Sequence, residues 1–301
     1  MPQKVILDVD TGTDDAVALM CAALHPDLEL VAATTVNGNV PVRNCTENTL
    51  RVFDYLGLSV PVYEGLSKPF VRPDFPTPRS QADPWHGEYL DLPAATTNKQ
   101  DQSAIDFLVE YYMGPDGPST TLVPVGPLSN IAMAIRMEPR LVERIPEMVI
   151  MGGAHLRGNV TPSAEFNIWT DPEGARVVFQ SGIPMRVATY DATWAARTDQ
   201  AQNDLLRAVG TPAAIAAATF CDRRIRYNQF HETAVNDALA VLVIVDPALL
   251  VTQHVFADVE TFGELTLGRT VFDTHGRSGK TPNCHVALDA DRERFNAMLR
   301  E

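Results

Sequence analysis

Eight residues near the start of the chain, DVDTGTDD, hold four carboxylates and one glycine. The acidic residues are Asp8, Asp10, Asp14 and Asp15, and they come at the end of the apolar run KVIL. Clustered carboxylates repel and raise one another's pKa unless a cation lies among them. Oxygen ligands select hard cations, and a crowded carboxylate and carbonyl site favours Ca²⁺ over Mg²⁺. The segment therefore predicts a metal site at the end of a buried strand.

Other interpretations of this segment explain less of it. Gly12 permits a tight turn, and Asp14 and Asp15 fall in the first turn of the next predicted helix, where anions are favoured, but capping does not easily explain all four carboxylates. In a haloacid-dehalogenase-type phosphatase, Asp8 would be the nucleophile and Asp10 the acid/base. The order here is DVDTGT, however, and the chain lacks the Gly-Asp dipeptide of that class. An EF-hand loop needs a third oxygen ligand before its glycine and a helix in front of it.

Two later stretches carry polar side chains of the kind that bind a sugar or a metal. MGGAHLRGNVTPSAEFN, residues 151–167, contains Asn159, Glu165 and Asn167. Any one of these alone is a plausible turn former, but three together near a metal site suit a polyhydroxylated ligand. In TAVNDALAV, Asp237 begins an apolar helix, where a carboxylate is equally well explained by the helix N-terminus.

Strands that alternate with helices would position these residues. Apolar runs rich in β-branched residues, KVILDV, LELVAATTV, VPVY, TTLVPV, EMVIM and MRVAT, recur between amphipathic segments. This alternation predicts an α/β fold with an open, mainly parallel sheet flanked by helices, in which ligands bind beyond the carboxyl ends of the strands. After residue 198 the pattern predicts a helical extension to about residue 245, followed by small C-terminal strands and a closing helix.

Composition narrows the functional class. We expect one domain over residues 1–301, because no linker interrupts the 301-residue chain. The net charge of −14 disfavours nucleic acid and anionic membrane partners, so a neutral or cationic small molecule, or a metal, is a better match. The four cysteines form no CxxC pair, and neither a secretory signal nor an apolar stretch of about 20 residues is present. These features predict a cytoplasmic protein with reduced thiols.

Together these stretches resemble the inosine-uridine preferring nucleoside hydrolase family over nearly the whole chain. The resemblance implies the nucleoside hydrolase fold and an enzyme that hydrolyses the N-glycosidic bond of ribonucleosides to ribose and free base, in purine or pyrimidine salvage. It also implies a homodimer or homotetramer. The matching segments are DVDTGTDD, VNGNV at 36–40, HG at 86–87, VGPLSNIAMA at 125–134, MGGAHLRGNVTPSAEFN, DPEGA at 171–175 and NDALA at 236–240.

The resemblance also implies roles for individual residues. Ca²⁺ would be held by Asp10, Asp15, Asp237 and the main-chain carbonyl of Val125, while Asp8 would support the turn. Asp10 would also be the base that activates a metal-bound water, with Asn39 orienting that water. The expected ribose contacts are Asp14 and Asn167 for the 2′ and 3′ hydroxyls, Asn159 and Glu165 for the 5′ hydroxyl, and Met151, which would pack against the sugar. Phe166 is a further substrate-binding candidate.

The chain departs from the family at Asn236, where well-known members have a histidine linked to protonation of the leaving group. An asparagine amide can donate a hydrogen bond but cannot titrate. Another group could take over this role, and the candidates are Tyr227, His231 and stacking of the base on Trp85. His86 is also a candidate on the base side, although His86 and His231 taken alone are typical of solvated histidines.

Two further interpretations of Asn236 stay open. The natural substrate could need no acid, as with a cationic leaving group such as the nicotinamide of nicotinamide riboside. Alternatively, the chain could bind ribosides with little turnover, although a mere binding protein has no need of a water-activating base. Neither the base preference nor the oligomeric state follows from the sequence.

Overall fold

The computed structural model describes residues 1–73 and 85–301. In the first half of the chain the elements are β1 (Gln3–Val9), α1 (Thr13–Leu24), β2 (Leu28–Thr35), α2 (Val42–Leu56), β3 (Val62–Glu64), α3 (Ala104–Met113), β4 (Thr120–Pro124), α4 (Ser129–Met137), α5 (Leu141–Arg144) and β5 (Met148–Met151). Residues 74–84, part of the long segment between β3 and α3, lie outside the described residues.

The second half continues the alternation and then becomes mainly helical before it returns to strands. Its elements are α6 (Phe166–Thr170), α7 (Pro172–Phe179), β6 (Met185–Ala188), α8 (Tyr190–Ala195), β7 (Thr198–Asp199), α9 (Gln200–Ala208), α10 (Pro212–Tyr227), β8 (Glu232–Thr233), α11 (Asn236–Val245), β9 (Leu250–Val255), β10 (Ala257–Val259), β11 (Thr270–Phe272), β12 (Cys284–Ala290) and α12 (Arg292–Met298). The predicted helical extension after residue 198 and the small C-terminal strands are both present.

Within the described residues, the central sheet has eight strands in the order β3-β2-β1-β4-β5-β6-β12-β9. Its strands pair in parallel except at one edge, where β9 runs antiparallel to β12. Two small antiparallel pairs, β10-β11 and β7-β8, lie outside this sheet. The prediction of an open, mainly parallel sheet flanked by helices is therefore confirmed.

Apolar clusters on both faces of the sheet explain why its strands read as continuous hydrophobic runs. In β1, Val5, Leu7 and Val9 belong to one cluster, whereas Ile6 belongs to the other, as the alternation of side chains along a strand requires. Both clusters are completed by helices, because a sheet buried on both faces needs a layer on each.

The first face is covered by α1, α10 and α11, and the second by α3, α4 and α7. Helix α1 packs against α11. Both helices begin beyond the carboxyl ends of the strands, so their first turns come together there although they are distant in sequence. In the described residues, every helix is too short or too polar to cross a membrane.

Candidate active site

Four buried aspartates meet at the carboxyl edge of the sheet, and we call Asp10, Asp14, Asp15 and Asp237 the acidic cluster. Asp10 follows β1, Asp14 and Asp15 lie in the first turn of α1, and Asp237 lies in the first turn of α11. None of the four is more than 5% exposed. Carboxylate oxygens of Asp14, Asp15 and Asp237 lie within 4.8 Å of one another, which is close enough to share one metal ion.

Backbone amides and one asparagine fix Asp10 and Asp15. Asp15 accepts hydrogen bonds from the amides of Asp10 (3.1 Å) and Gly12 (2.9 Å) and from Nδ2 of Asn39 (3.2 Å). The amide of Asn39 donates to Oδ2 of Asp10 at 2.7 Å. A Cβ at Gly38 would lie only 2.0 Å from that oxygen, so the loop after β2 approaches Asp10 this closely because residue 38 is glycine.

The pKa of Asp14 is shifted in the opposite direction from those of the other three aspartates. Burial, with repulsion from neighbouring carboxylates, raises the pKa of Asp10 and Asp237 well above the usual range and that of Asp15 to about 7. Burial also acts on Asp14, but the Arg224 guanidinium, 2.8 Å from Oδ1, holds its pKa below the ordinary value. Three buried carboxylates thus favour an added positive charge, and their oxygen-only donor set is suited to a hard cation such as Ca²⁺.

The three aspartates that converge differ by one from the ligand set implied by the family resemblance. Asp15 and Asp237 belong to both sets, and the third of the converging residues is Asp14, which was expected to bind the sugar. Asp10 lies beside them, bonded to Asp15 through its own amide. The main-chain carbonyl of Val125, the fourth expected ligand, accepts a hydrogen bond from Nδ2 of Asn167 at 2.7 Å.

The residues expected on the ribose side are held by the turn after β5. Nδ2 of Asn167 donates to the carbonyl of Met151 (3.2 Å) as well as to that of Val125, so it links the ends of two strands. Glu165 caps the start of α6, accepting from the amides of Asn167 and Gly153, each at 2.9 Å. Burial raises the pKa of the Glu165 carboxyl, against the effect of these amide donors.

Asn159 and Phe166 belong to the same turn. Oδ1 of Asn159 accepts from the amide of Phe166 at 2.8 Å, which folds the loop back onto the first turn of α6. Asn159 is exposed and Phe166 is half-buried, in contrast to Glu165 and Asn167, which are buried. The structure therefore brings together all five residues that were expected at the sugar from this stretch, namely Met151, Asn159, Glu165, Phe166 and Asn167.

Asn236 bonds to the acidic cluster through its amide nitrogen. Nδ2 donates to Oδ2 of Asp14 at 2.8 Å, and Oδ1 accepts from the hydroxyl of Thr193 at 2.8 Å. Since Arg224 occupies the other oxygen of Asp14, this carboxylate is fixed from two sides. Asn236 thus orients Asp14, and it takes part in a chain of hydrogen bonds from α8 to α1.

The loop that carries Trp85 and His86 also reaches the cluster. Nδ1 of His86 accepts from the amide of Thr13 at 3.1 Å and lies 3.9 Å from Oδ1 of Asp14. A Cβ at Gly12 would lie 2.1 Å from the same ring nitrogen, so this glycine makes room for the imidazole. The carbonyl of Trp85 accepts from the Thr13 hydroxyl at 3.4 Å. His86 is therefore a site residue by position, not a solvated histidine.

Tyr227 and His231 lie farther out, at and beyond the end of α10. Tyr227 is 52% exposed, and His231 is exposed with a left-handed backbone at φ 53°. Within residues 1–73 and 85–301, no hydrogen bond or ion pair joins either side chain to the acidic cluster. The structure therefore does not link these two predicted residues to the acidic cluster.

Sequence reasoning missed Arg224 and Thr193, which both hold groups of the site. Arg224 lies among other arginines in the helical segment CDRRIRY, and nothing in its spacing distinguishes it from its neighbours. Its side chain is only 11% exposed and bonds to Thr13 and Thr233 as well as to Asp14. Only the packing of α10 against α1 reveals this residue.

The chain is similar in sequence to known nucleoside hydrolases over nearly its whole length. The sequence profile described as "Inosine-uridine preferring nucleoside hydrolase" matches residues 5–297. The chain is 37% identical to the inosine-uridine preferring nucleoside hydrolase of Leishmania major over 303 residues, covering 99% of this chain and 96% of that protein. It is 38% identical to the pyrimidine-specific ribonucleoside hydrolase RihB of Escherichia coli strain UMN026 over 308 residues, with the same coverage, 99% and 96%.

A solved structure shows the same similarity in three dimensions. The fold resembles that of the purine-preferring ribonucleoside hydrolase from Gardnerella vaginalis, with a TM-score of 0.89 and 32% identity. The match covers 99% of this chain and 97% of that one. Sequence and fold therefore point to the same group of proteins over their whole length.

Proposed function

We propose, from the premise that this chain belongs to the inosine-uridine preferring nucleoside hydrolase family, that it hydrolyses ribonucleosides in a Ca²⁺-dependent reaction with Asp10 as the general base. Family membership makes the chain an enzyme that acts on the N-glycosyl bond of ribonucleosides. The observation that carries the finer proposal is the buried convergence of Asp14, Asp15 and Asp237 beside Asp10.

Asp10, Asp15, Asp237 and the Val125 carbonyl would hold the cation, with Asp14 adding negative charge beside it. All are hard oxygen donors, and the raised pKa of Asp10, Asp15 and Asp237 reflects buried charge that an ion would compensate. A bound Ca²⁺ would stabilise negative charge and lower the pKa of a water molecule in the site.

Asp10 takes the proton of the attacking water in this mechanism. The amide of Asn39 fixes Oδ2 of Asp10, so we assign proton acceptance to Oδ1. As the bond between C1′ and the base nitrogen breaks, its electron pair leaves with the base and the ribose becomes oxocarbenium-like. The surrounding carboxylates stabilise that positive charge, because they are already oriented by amides and asparagines.

The proposed ribose contacts come from the first turn of α1 and from the turn after β5. Asp14 accepts hydrogen bonds in an orientation set by Arg224 and Asn236, and it is assigned with Asn167 to the 2′ and 3′ hydroxyls. Glu165 and Asn159 are assigned to the 5′ hydroxyl, with Met151 and Phe166 against the sugar. Trp85 and His86 would close the site from the loop, beside Thr13.

A second candidate substrate class is favoured by Asn236. Because this amide cannot titrate and is bonded to Asp14, a substrate whose leaving group needs no proton, such as nicotinamide riboside, would suit the site. The relatives carry names that differ in base preference, inosine-uridine, pyrimidine and purine, so the family alone leaves the base open. Membership in a family of hydrolases argues against the alternative of a riboside-binding protein with little turnover.

The proposal also includes a single domain over residues 1–301, a cytoplasmic location, a role in purine or pyrimidine salvage, and a homodimer or homotetramer. Sedimentation velocity on the purified protein tests the oligomeric state directly. A single species at the mass of one 32.9 kDa chain would contradict that part of the proposal.

A nucleoside panel with and without a chelator tests the function and the metal together. We expect release of reducing sugar from one or more of inosine, adenosine, uridine, cytidine and nicotinamide riboside, loss of this activity after EDTA and dialysis, and recovery with Ca²⁺. Sugar release that EDTA leaves unchanged would contradict the metal dependence. Asp237→Asn should weaken the response to added Ca²⁺, whereas Asp54→Asn, on a carboxylate that binds Thr96 and Thr97 outside the site, should leave it unchanged.

A further inference from the structure

Aromatic side chains lie on and beside α8, the helix that is bonded to Asn236 through Thr193, and we call Tyr190, Trp194 and Phe230 the aromatic side. Tyr190 and Trp194 are four residues apart on α8, with ring centroids 6.2 Å apart and an interplanar angle of 38°. Trp194 meets Phe230 edge-on at 5.8 Å. The guanidinium groups of Arg157 and Arg197 lie 5.3 and 5.9 Å from the Trp194 ring, so this ring is held by several neighbours.

Helix α8, which begins at Tyr190, is bonded both to the turn that carries the ribose residues and to Asn236. Tyr190 follows β6 at the carboxyl edge of the sheet, and its amide donates to the carbonyl of Gly153 at 2.8 Å. The amide of Gly153 in turn donates to Glu165, the residue assigned to the 5′ hydroxyl. Thr193 lies three residues after Tyr190 on α8, and its hydroxyl donates to Oδ1 of Asn236. The first turn of α8, with Tyr190 at its start, is therefore fixed at the site by the backbone of Tyr190 and the hydroxyl of Thr193.

The Tyr190 hydroxyl has a spare hydrogen-bonding capacity that its neighbours lack. Asn236 and Glu165 are held by bonds to described residues, whereas no described residue hydrogen-bonds the Tyr190 hydroxyl. The side chain is half-buried, and burial raises its pKa, against the opposing effect of Arg157 and Arg224. The phenol thus keeps its proton at neutral pH and is available as a donor.

We propose that the Tyr190 hydroxyl donates a hydrogen bond to the leaving base of a purine or pyrimidine riboside, the role that Asn236 cannot fill by titration. This inference rests on the proposed function of the site. When the bond between C1′ and the base nitrogen breaks, its electron pair goes to the base, and the Tyr190 O–H stabilises the charge that develops on a ring nitrogen or carbonyl oxygen. Solvent then completes protonation of the released base, and Tyr190 keeps its proton over the cycle.

Within this arrangement Asn236 and Thr193 are positioning residues. Asn236 fixes Asp14 for the sugar, and Thr193 ties Asn236 to the helix that carries Tyr190. Trp194 packs against the Tyr190 ring and so limits its rotation. The alternative donors, Tyr227 and His231, have no comparable attachment to the site, because Tyr227 is 52% exposed and His231 lies beyond the end of α10.

Tyr190→Phe removes the donor and keeps the ring that packs on Trp194. On inosine and uridine we expect kcat/KM to fall by about 10²-fold, within the range that general-acid assistance contributes. On p-nitrophenyl riboside and nicotinamide riboside, whose leaving groups need little help, we expect a loss of less than about threefold. Retained activity on p-nitrophenyl riboside also shows that the variant is folded.

Two results would overturn the inference: equal losses on all four substrates, or no loss on inosine and uridine. Tyr55→Phe is the matched control, because this tyrosine lies on α2 with its hydroxyl bonded to the carbonyl of Pro212, remote from the acidic cluster. Failure of the proposed function is distinguished by the unmodified protein, which would then release no ribose from any of the substrates. Both variants are compared at saturating Ca²⁺ so that metal loading does not differ.

Discussion

The acidic cluster and the aromatic side are built in opposite ways, although we propose that both face the same substrate. Asp10, Asp14, Asp15 and Asp237 are each at most 5% exposed, and backbone amides, asparagines and an arginine bind them. Phe230, by contrast, is 58% exposed, and its ring meets the ring of Trp194 edge-on. The acidic cluster is buried and hydrogen-bonded, whereas the aromatic side is half-buried at Tyr190 and Trp194 and exposed at Phe230.

In the proposed reaction, the acidic cluster acts on the ribose, which all ribonucleosides share, and the aromatic side faces the base, in which they differ. Every ribonucleoside presents the same ribose and the same developing positive charge, so fixed carboxylates serve all of them. The bases differ in size and in hydrogen-bonding groups, and aromatic surfaces accept such variety at low cost. The relatives agree with this division, because they are all nucleoside hydrolases while their names specify different bases.

Asp10→Asn should cause the largest loss of activity, and this loss should not depend on the base of the substrate. We expect kcat to fall by about 10³-fold, because the variant has no carboxylate to accept the proton of water. The loss should be equal on inosine and on p-nitrophenyl riboside, since water attack is common to both. Kinetics at saturating Ca²⁺ check this. A loss confined to inosine would mean that Asp10 acts on the leaving group and would remove the contrast between the two regions.

Arg224→Met should have an intermediate effect, seen mainly in stability. It leaves Asp14 buried without its guanidinium partner, and removal of one member of a buried ion pair costs about 3 kcal/mol. Chemical denaturation measures this loss in the free energy of unfolding, which we expect to be smaller when Ca²⁺ is present to supply positive charge.

The control for Arg224 is Arg226→Met, on the same helix, where the side chain is exposed and the expected change is within about 0.5 kcal/mol. If both variants lost equal stability, the helix itself and not the contact with Asp14 would be responsible. If Ca²⁺ made no difference to Arg224→Met, the cation would not share the charge of Asp14.

Tyr227→Phe should have the smallest effect, less than about threefold in kcat/KM on inosine. The side chain is 52% exposed at the end of α10, and no residue that the structure describes hydrogen-bonds its hydroxyl, so its loss removes only a solvated group. Steady-state kinetics on inosine and uridine test this. A loss as large as that expected for Tyr190→Phe would show that the end of α10 closes over the base, and the aromatic side would then include Tyr227.

Much of the fold and part of the site could be predicted from the sequence. The alternation of apolar runs with amphipathic segments gave the open parallel sheet correctly, because buried strands and helices leave periodic patterns. The residues of the turn after β5 could also be predicted from the sequence, since Met151, Glu165 and Asn167 lie within one short stretch. The base side was less accessible: among the described residues neither Tyr227 nor His231 is bonded to the acidic cluster, whereas His86, which taken alone is typical of a solvated histidine, borders it.

The sequence by itself determined the local half of the acidic cluster. Asp10 and Asp15 are five residues apart and share a backbone hydrogen bond, so a strand, a glycine and a helix start are enough to bring them together. Tertiary structure decided the rest: the Arg224 bond to Asp14 joins residues 210 apart, and the Asn236 bond joins residues 222 apart. A periodic pattern reveals which face of a helix is buried, but only packing of α1 against α10 and α11 decides which partner it meets.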